Sequence, residues 1–455
     1  MKRFAGVMIV VLSITGYVSA RDADFVVTDE PIASPLVGFG VCMNPYLYAY
    51  PNTPDEIKPE ALKDLEAKVK ALHPQFVRIF FLNSWWEKDT DNSVAKNHPG
   101  MRESVIRTIR LAQDAGASVL IQLWYDTNHY ENAEDVARRF AKAIAEMRTK
   151  HGLTSIRYAT IQNEPDENSD DIKMQRYPIV YRAFDKALRD EHIRDEVKIV
   201  SGDLVGEKWE RWLKMLGMEL APVSDGYSIH SYWDYWRIGT FRQHIKEVAE
   251  VVEKMPPEQR RPLYVTEFGA RGFREHPSIE PGKSDTGKPV ADVPVYSFEI
   301  GIFMMDAINN GFVGTAQWDC YDVWYDRKMG YGVIGSVENG FPLKPGYWML
   351  SLFTHATEPG WQPMRIDGEV DDVWINALKS KSDLSVFVLN RVHGEKKVTV
   401  SGLPAGKSLN SWIWNGDGKG TLQRAEAVSI DADGTATMSV PNMAIRVITT
   451  KEFGL

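Results

Sequence analysis

Eight short apolar runs, each followed by an amphipathic stretch, alternate along the chain from Leu36 to about residue 355. The runs are Leu36–Met43, Phe76–Phe81, Ser118–Trp124, Tyr158–Asn163, Val197–Leu204, Gly226–Tyr232, Leu263–Phe268 and Val313–Asp319. Their length and bounding residues read as strands. The stretches 57–72, 101–115, 132–150, 176–191, 207–217, 240–255, 293–310 and 345–355 carry apolar residues at helical spacing. Gly116, Gly152 and Gly311 stop helices, Pro256–Pro257 stops another, and Pro345 opens the last. Strands that alternate with helices pair in parallel. Eight such units predict a closed (β/α)8 TIM barrel. An open doubly wound sheet usually has fewer strands, and no Gly-x-Gly-x-x-Gly opens a helix here.

Beyond residue 358 the rhythm changes. Val373–Leu378, Leu384–Val388, Lys397–Val400, Ser411–Trp414 and Ala444–Thr449 are short strands separated by Gly and Asp/Asn turns such as Asn415–Gly416–Asp417–Gly418. This predicts a C-terminal antiparallel β-sandwich over 359–455, following a barrel over 21–358. A β-like piece near Phe25–Val27 is a candidate extra strand, from 22–30, for the second unit. A chain of 455 residues is expected to form about two domains.

The first twenty residues read as a secretory signal. Lys2 and Arg3 precede an apolar run from Phe4 to Leu12, and Val18–Ser19–Ala20 offers small residues for cleavage. The run is too short and broken for a stable membrane span, and no Cys follows the cleavage point to carry a lipid. The expectation is a secreted or periplasmic protein with no membrane anchor. A net charge of −9 with no basic run argues against nucleic acid as a partner. The ten His show no metal-ligand spacing, and Cys42 and Cys320 form no Cys-x-x-Cys, so neither metal nor cofactor is expected. Both Cys fall near the ends of neighbouring barrel strands, the first and eighth. Two readings stay open for them, a disulfide and a pair of buried thiols.

In a barrel of this kind chemistry sits at the C-terminal ends of the strands. Strand four runs into Asn163–Glu164–Pro165, and strand seven runs through Thr266–Glu267–Phe268–Gly269. Proline lacks a backbone N–H, so strand four must stop there. A carboxyl group at a buried strand end is costly unless it is used or paired. Strands four and seven lie roughly opposite each other, so the two groups can flank one bond. Hydrolysis of a glycosidic bond needs such a pair.

With these motifs on these strands, the barrel region 35–358 resembles clan A of the glycoside hydrolases, retaining (β/α)8 enzymes that act on carbohydrate. The resemblance implies Glu164 as general acid/base and Glu267 as nucleophile. It implies Arg78 as the cation that keeps Glu267 ionised, and Asn163 as the group that holds the 2-hydroxyl of the reacting sugar. His230–Ser231–Tyr232 resembles the clan's His-x-Tyr pattern, with Tyr232 donating to Glu267 and His230 contacting sugar or a carboxylate. Trp318 is implied as the platform under the reacting sugar. Gly330–Gly335 and Lys344–Tyr347 resemble the run found in β-xylosidase/iduronidase-type and glucocerebrosidase-type families, which carry a C-terminal sandwich. Thr266–Gly269 is also similar to the cellulase/mannanase-type motif.

Trp124, Trp233, Trp236 and Trp324 are candidates for further sugar contacts or for packing, and Asp126, Asp203 and Asp319 for hydroxyl binding or helix capping. The long charged stretch 270–292 is of functional loop length. The expected activity is retaining hydrolysis of β-linked oligo- or polysaccharide. The alternative is a non-catalytic glycan-binding protein on a TIM-barrel scaffold. A serine esterase is disfavoured, because the chain has no Gly-x-Ser-x-Gly elbow.

Overall fold

The computed structural model describes residues 23–49, 57–86, 100–124, 132–167, 171–234, 237–272, 288–323, 330–391, 394–416 and 421–453. The signal segment 1–20, Asp126, Trp236, Trp324 and most of the 270–292 stretch lie outside the described residues.

The chain enters through Ala23–Pro31 (β1). Eight strands follow: Gly38–Cys42 (β2), Phe76–Phe81 (β3), Ser118–Leu123 (β4), Ile156–Ile161 (β5), Lys198–Leu204 (β6), Gly226–Asp234 (β7), Leu263–Gly272 (β8) and Phe312–Gln317 (β9). They pair in parallel in sequence order, and β9 pairs with β2, which closes the barrel. Close strand contact explains Gly40, where a Cβ would stand 1.7 Å from the Phe76 carbonyl oxygen.

Side chains on one face of a strand recur every second residue. On β3 this sends Phe76, Arg78 and Phe80 into the barrel, one above the other. Phe76 meets Tyr158 of β5 and Tyr264 of β8 with ring centroids 5.7 and 5.9 Å away. This aromatic layer plugs the N-terminal end of the barrel. Polar chemistry is left to the opposite end.

Near that opposite end β5 and β6 part: their pairing covers only Tyr158 with Lys198 and Ala159 with Ile199. Backbone groups freed by the gap need other partners. Two tyrosines of helix Asp171–Asp190 supply them. The Tyr181 hydroxyl accepts from Ile161 N–H at 3.0 Å and donates to the Ile161 carbonyl at 2.9 Å. The Tyr177 hydroxyl accepts from Gly202 N–H at 3.1 Å. That helix begins about a turn earlier than its spacing predicts and carries Pro178 inside it.

The second layer comprises β1 with Gln362–Asp367 (β10), Val373–Lys379 (β11), Leu384–Asn390 (β12), Lys396–Ser401 (β13), Ser408–Asn415 (β14), Leu422–Ser429 (β15), Ala436–Val440 (β16) and Ala444–Thr449 (β17). They form one hydrogen-bonded sheet in the order β15-β14-β17-β12-β11-β10-β1-β13-β16. The sheet curls so that Phe25, Val386, Val400, Val428 and Met438, from strands along its whole width, share one core. It is antiparallel except where β1 runs parallel to β13. Periodicity misses β10, which contains Pro363, β15, which is largely exposed and poor in β-branched residues, and β16, which is only five residues long.

The outer face of this sheet packs on two barrel helices, Pro294–Asn309 and Pro345–Ala356. Phe387 stacks on Phe353 with centroids 4.6 Å apart and planes 6° apart. Trp374 Nε1 donates to Asp306 at 3.1 Å, and Asn376 Nδ2 donates to the Met305 carbonyl at 3.1 Å. No helix among the described residues is long and apolar enough to cross a membrane. Phe387→Ala is expected to cost about 3–5 kcal/mol, the usual loss for a buried aromatic ring, as read by urea denaturation.

Candidate active site

Arg78 stands at the centre of the barrel's C-terminal end, with its side chain fully buried. Its Nη1 donates to Glu267 Oε2 at 2.8 Å. Its Nη2 donates to Asn163 Oδ1 at 2.6 Å and to Asp203 Oδ2 at 3.0 Å. Burial works against the charge on Arg78, but Asp203 and Glu267 outweigh it, and the pKa lies above the ordinary arginine value.

Glu267 is fixed from two sides. Tyr232 donates its phenol to Oε1 while Arg78 holds Oε2. Burial and the charge of Glu267 push the Tyr232 phenol well up, so it remains a donor. Glu267 lies within β8, which continues to Gly272 rather than ending at Phe268. Simple alternation would send Thr266 and Glu267 to opposite faces. The register with both neighbouring strands slips at this point, between Val265 and Glu267 against β7 and between Val265 and Phe268 against β9. Such bulges re-aim side chains. Here Thr266 Oγ1 reaches Asp203 at 2.6 Å while Glu267 reaches Arg78.

Glu164 sits just past β5. The strand stops at Ile161, so Asn163 and Glu164 occupy the following bend rather than the last strand positions. Gln162 and Glu164 have φ of 70° and 47°, in the left-handed region that side chains disfavour. Glu164 Oε1 lies 2.9 Å from His230 Nδ1. Asp166, two residues on, is buried and accepts from Val205 N–H at 2.9 Å and Gly206 N–H at 2.8 Å. It bolts this bend to the loop after β6.

Asp203 is the residue whose importance the sequence hides. It does not bind a ligand hydroxyl or cap a helix, because it is fully buried within the barrel. Oδ1 accepts from Ser228 Oγ at 2.8 Å and from Thr266. Oδ2 faces Arg78 and stands 3.6 Å from His230 Nε2. Burial raises its pKa, but Arg78 and His230 outweigh that and hold it well below the usual carboxylate range. Its backbone φ is 56°, next to Gly202 at φ 133°, where β6 slips register against β7. The only sequence signal is Gly202 beside an acidic residue near a strand end.

His230 has Glu164, Asp203 and Glu267 around it. Burial opposes its charge, but Glu267 and Asp203 raise its pKa to about 10. Among the described residues, Glu164, His230 and Glu267 are the one group with metal-ligating atoms close together, within 4.8 Å of one another. Both Glu267 oxygens are taken by Arg78 and Tyr232, and two cationic side chains lie alongside. This donor set suits proton transfer better than a cation.

At the mouth, Phe80 lies between Trp124 and Trp318, with centroids 5.3 and 5.5 Å away. Its ring also covers the Arg78 guanidinium, 4.6 Å from the centroid. Trp124 is 48% exposed and offers an open face, whereas Trp318 is 7% exposed. Trp233 is not a sugar contact. It is buried, bonds Glu299 through Nε1 at 2.7 Å and stacks on Phe303, because alternation along β7 turns it outward when His230 and Tyr232 turn inward. Asp319 is buried and accepts from Cys320 N–H through Oδ1 at 2.6 Å. Cys42 and Cys320 are free, buried thiols, both pushed well up by burial.

No protein-family model matches this sequence, and no curated protein matches it. Solved structures do. A family 30 endoxylanase from Clostridium papyrosolvens C71 is similar at a TM-score of 0.67 and 11% identity, over 94% of this chain and 100% of that one. Family 30 xylanase C from Talaromyces cellulolyticus is similar at 0.68 and 11%, over 94% and 99%. An α-L-arabinofuranosidase from Thermotoga maritima is similar at 0.67 and 14%, over 94% and 100%. At these identities the likeness carries the fold, barrel and second sheet together.

Asp203→Ala is expected to cost about 3–5 kcal/mol by leaving buried cations short of a partner, measured by chemical denaturation. A histidine titrates near 6.5 when unfolded and at about 10 here. The stability contributed by the His230 charge is therefore full below about 6.5 and is lost as pH rises through about 10. Melting temperature is expected to fall across that window, and less steeply in His230→Gln.

Proposed function

We propose that this chain is a retaining β-glycoside hydrolase that cleaves β-linked oligo- or polysaccharide through a covalent glycosyl-enzyme. One observation carries the reading. An oxygen of Glu164 and an oxygen of Glu267 lie within 4.8 Å of each other across the barrel mouth. Retaining pairs stand about 5–5.5 Å apart, whereas inverting pairs stand about 6.5–9.5 Å apart to admit a water.

In the first step Glu267 attacks the anomeric carbon. The glycosidic C–O bond breaks, and Glu164 gives its proton to the departing oxygen. In the second step Glu164 takes a proton from water, the water oxygen bonds to the anomeric carbon, and the ester releases Glu267 as carboxylate. Arg78 and Tyr232 support the nucleophile, since both donate to it and both favour its charged form. Asn163 is suited to the 2-hydroxyl, held at the site by Arg78. Trp318 and Trp124 are suited to the C–H faces of sugar rings. A non-catalytic glycan binder would have no use for a nucleophile held by two donors, which favours the enzyme. The basic start, apolar run and Val18–Ser19–Ala20 of the first twenty residues support export.

Glu267→Ala is expected to abolish hydrolysis of aryl β-glycosides and of plant or microbial polysaccharides. Glu164→Ala is expected to keep activity on substrates with good leaving groups and to yield a β-glycosyl azide when azide is added. The anomer released first, followed by NMR, is expected to be β. Full activity in Glu267→Ala, or an α first product, would refute the assignment.

A further inference from the structure

The strand that leads to Glu164 gives it little support on one side. β5 stops at Ile161, and its pairing with β6 ends earlier, at Ala159 with Ile199. The bend beyond it holds Gln162 and Glu164 in the left-handed region, at φ 70° and 47°. Side chains disfavour that conformation, and it persists only where neighbouring contacts impose it.

Asp166, two residues past Glu164, makes such contacts with both of its oxygens. Oδ1 accepts from Val205 N–H at 2.9 Å and Oδ2 from Gly206 N–H at 2.8 Å, in the loop that follows β6. Asp166 is buried, so no water competes for these bonds. Burial raises its pKa, and the two N–H groups work against that rise. The approach of the loop is as close as a backbone allows. A Cβ at Gly206 would stand 2.8 Å from the Asp166 carbonyl oxygen and 3.2 Å from Oδ2. A side chain there would push the loop off the carboxylate. Glu267 takes its donors from elsewhere, Arg78 on β3 and Tyr232 on β7.

We infer that Asp166 and Gly206 form a clamp that aims the Glu164 carboxyl at the glycosidic oxygen, which makes Asp166 a positioning residue for proton transfer. The inference rests on the glycosidase reading above. Neither residue of the clamp touches the reacting atoms. A general acid must lie within hydrogen-bond reach of the atom it protonates, and the clamp sets that reach through the backbone of the bend. Attack by Glu267 on the anomeric carbon does not pass through it.

Leaving groups separate the two contributions. Dinitrophenolate departs without a proton, whereas phenolate is a poor leaving group that needs the Glu164 proton as the C–O bond breaks. The measurement is kcat/KM on the dinitrophenyl and the unsubstituted phenyl β-glycosides of a sugar or oligosaccharide that the protein cleaves. The readout is the ratio of the two values in one preparation, which is independent of how much enzyme is folded. In Asp166→Asn, kcat/KM on the phenyl glycoside is expected to fall about tenfold to a hundredfold, the loss that goes with a catalytic group displaced by about 1 Å. On the dinitrophenyl glycoside it is expected to change little. Gly206→Ala removes no polar group and meets Asp166 from the opposite side, and it is expected to show the same selective loss. Both changes break one contact, so the double variant is expected to lose scarcely more than either alone. A ratio that stays at the wild-type value in both single variants, or losses that add in the double variant, overturns the clamp while wild-type hydrolysis still supports the glycosidase reading. A wild type that cleaves no β-glycoside overturns both.

Discussion

The buried guanidinium of Arg78 is the constraint on which the site depends. A cation without water is stable only when carboxylates and dipoles surround it. Arg78 is met by Glu267 from β8, Asp203 from β6 and Asn163 from the bend after β5. These groups are distant in sequence, so the ion cluster can form only if the barrel closes in register. The same cluster sets the state of its members. Arg78 and Asp203 hold each other ionised, and His230 is kept charged by Glu267 and Asp203 against the pull of burial.

Bringing so many polar groups to one point requires departures from regular strand geometry. Gln162, Glu164 and Asp203 take left-handed backbone conformations, and β6 and β8 slip register beside the site. Strain of this kind persists only where the surroundings over-determine it. Helix Asp171–Asp190 meets that need through the hydroxyls of Tyr177 and Tyr181, and Asp166 does so from within the Glu164 bend. Below, the aromatic layer of Phe76, Tyr158 and Tyr264 seals the barrel. Beside it, the second sheet covers the apolar backs of two barrel helices.

Much of this was legible in the residue order. The eight strands fall within a few residues of their expected places, because alternation of apolar strands and amphipathic helices is a local pattern. Placing Glu164 and Glu267 near the ends of strands four and seven needed only that count. The second sheet was partly legible: strands with β-branched cores stood out, while Pro363 hid β10, a polar composition hid β15 and its short length hid β16. For Trp233 the sequence left sugar contact and packing open, and the structure decides for packing, because alternation along β7 puts it on the face opposite His230 and Tyr232.

By itself, then, the sequence determined the barrel and the pair of acidic residues, since each rests on local periodicity or on strand number, while the cation beside them was expected only from the family resemblance. Only the tertiary structure decided that Asp203 joins that cation, that Thr266 and Glu267 both face inward, and that Asp166 ties the proton donor to the next loop. Each of these turns on a register slip or a backbone conformation fixed by contacts between distant segments. No spacing along the chain encodes them.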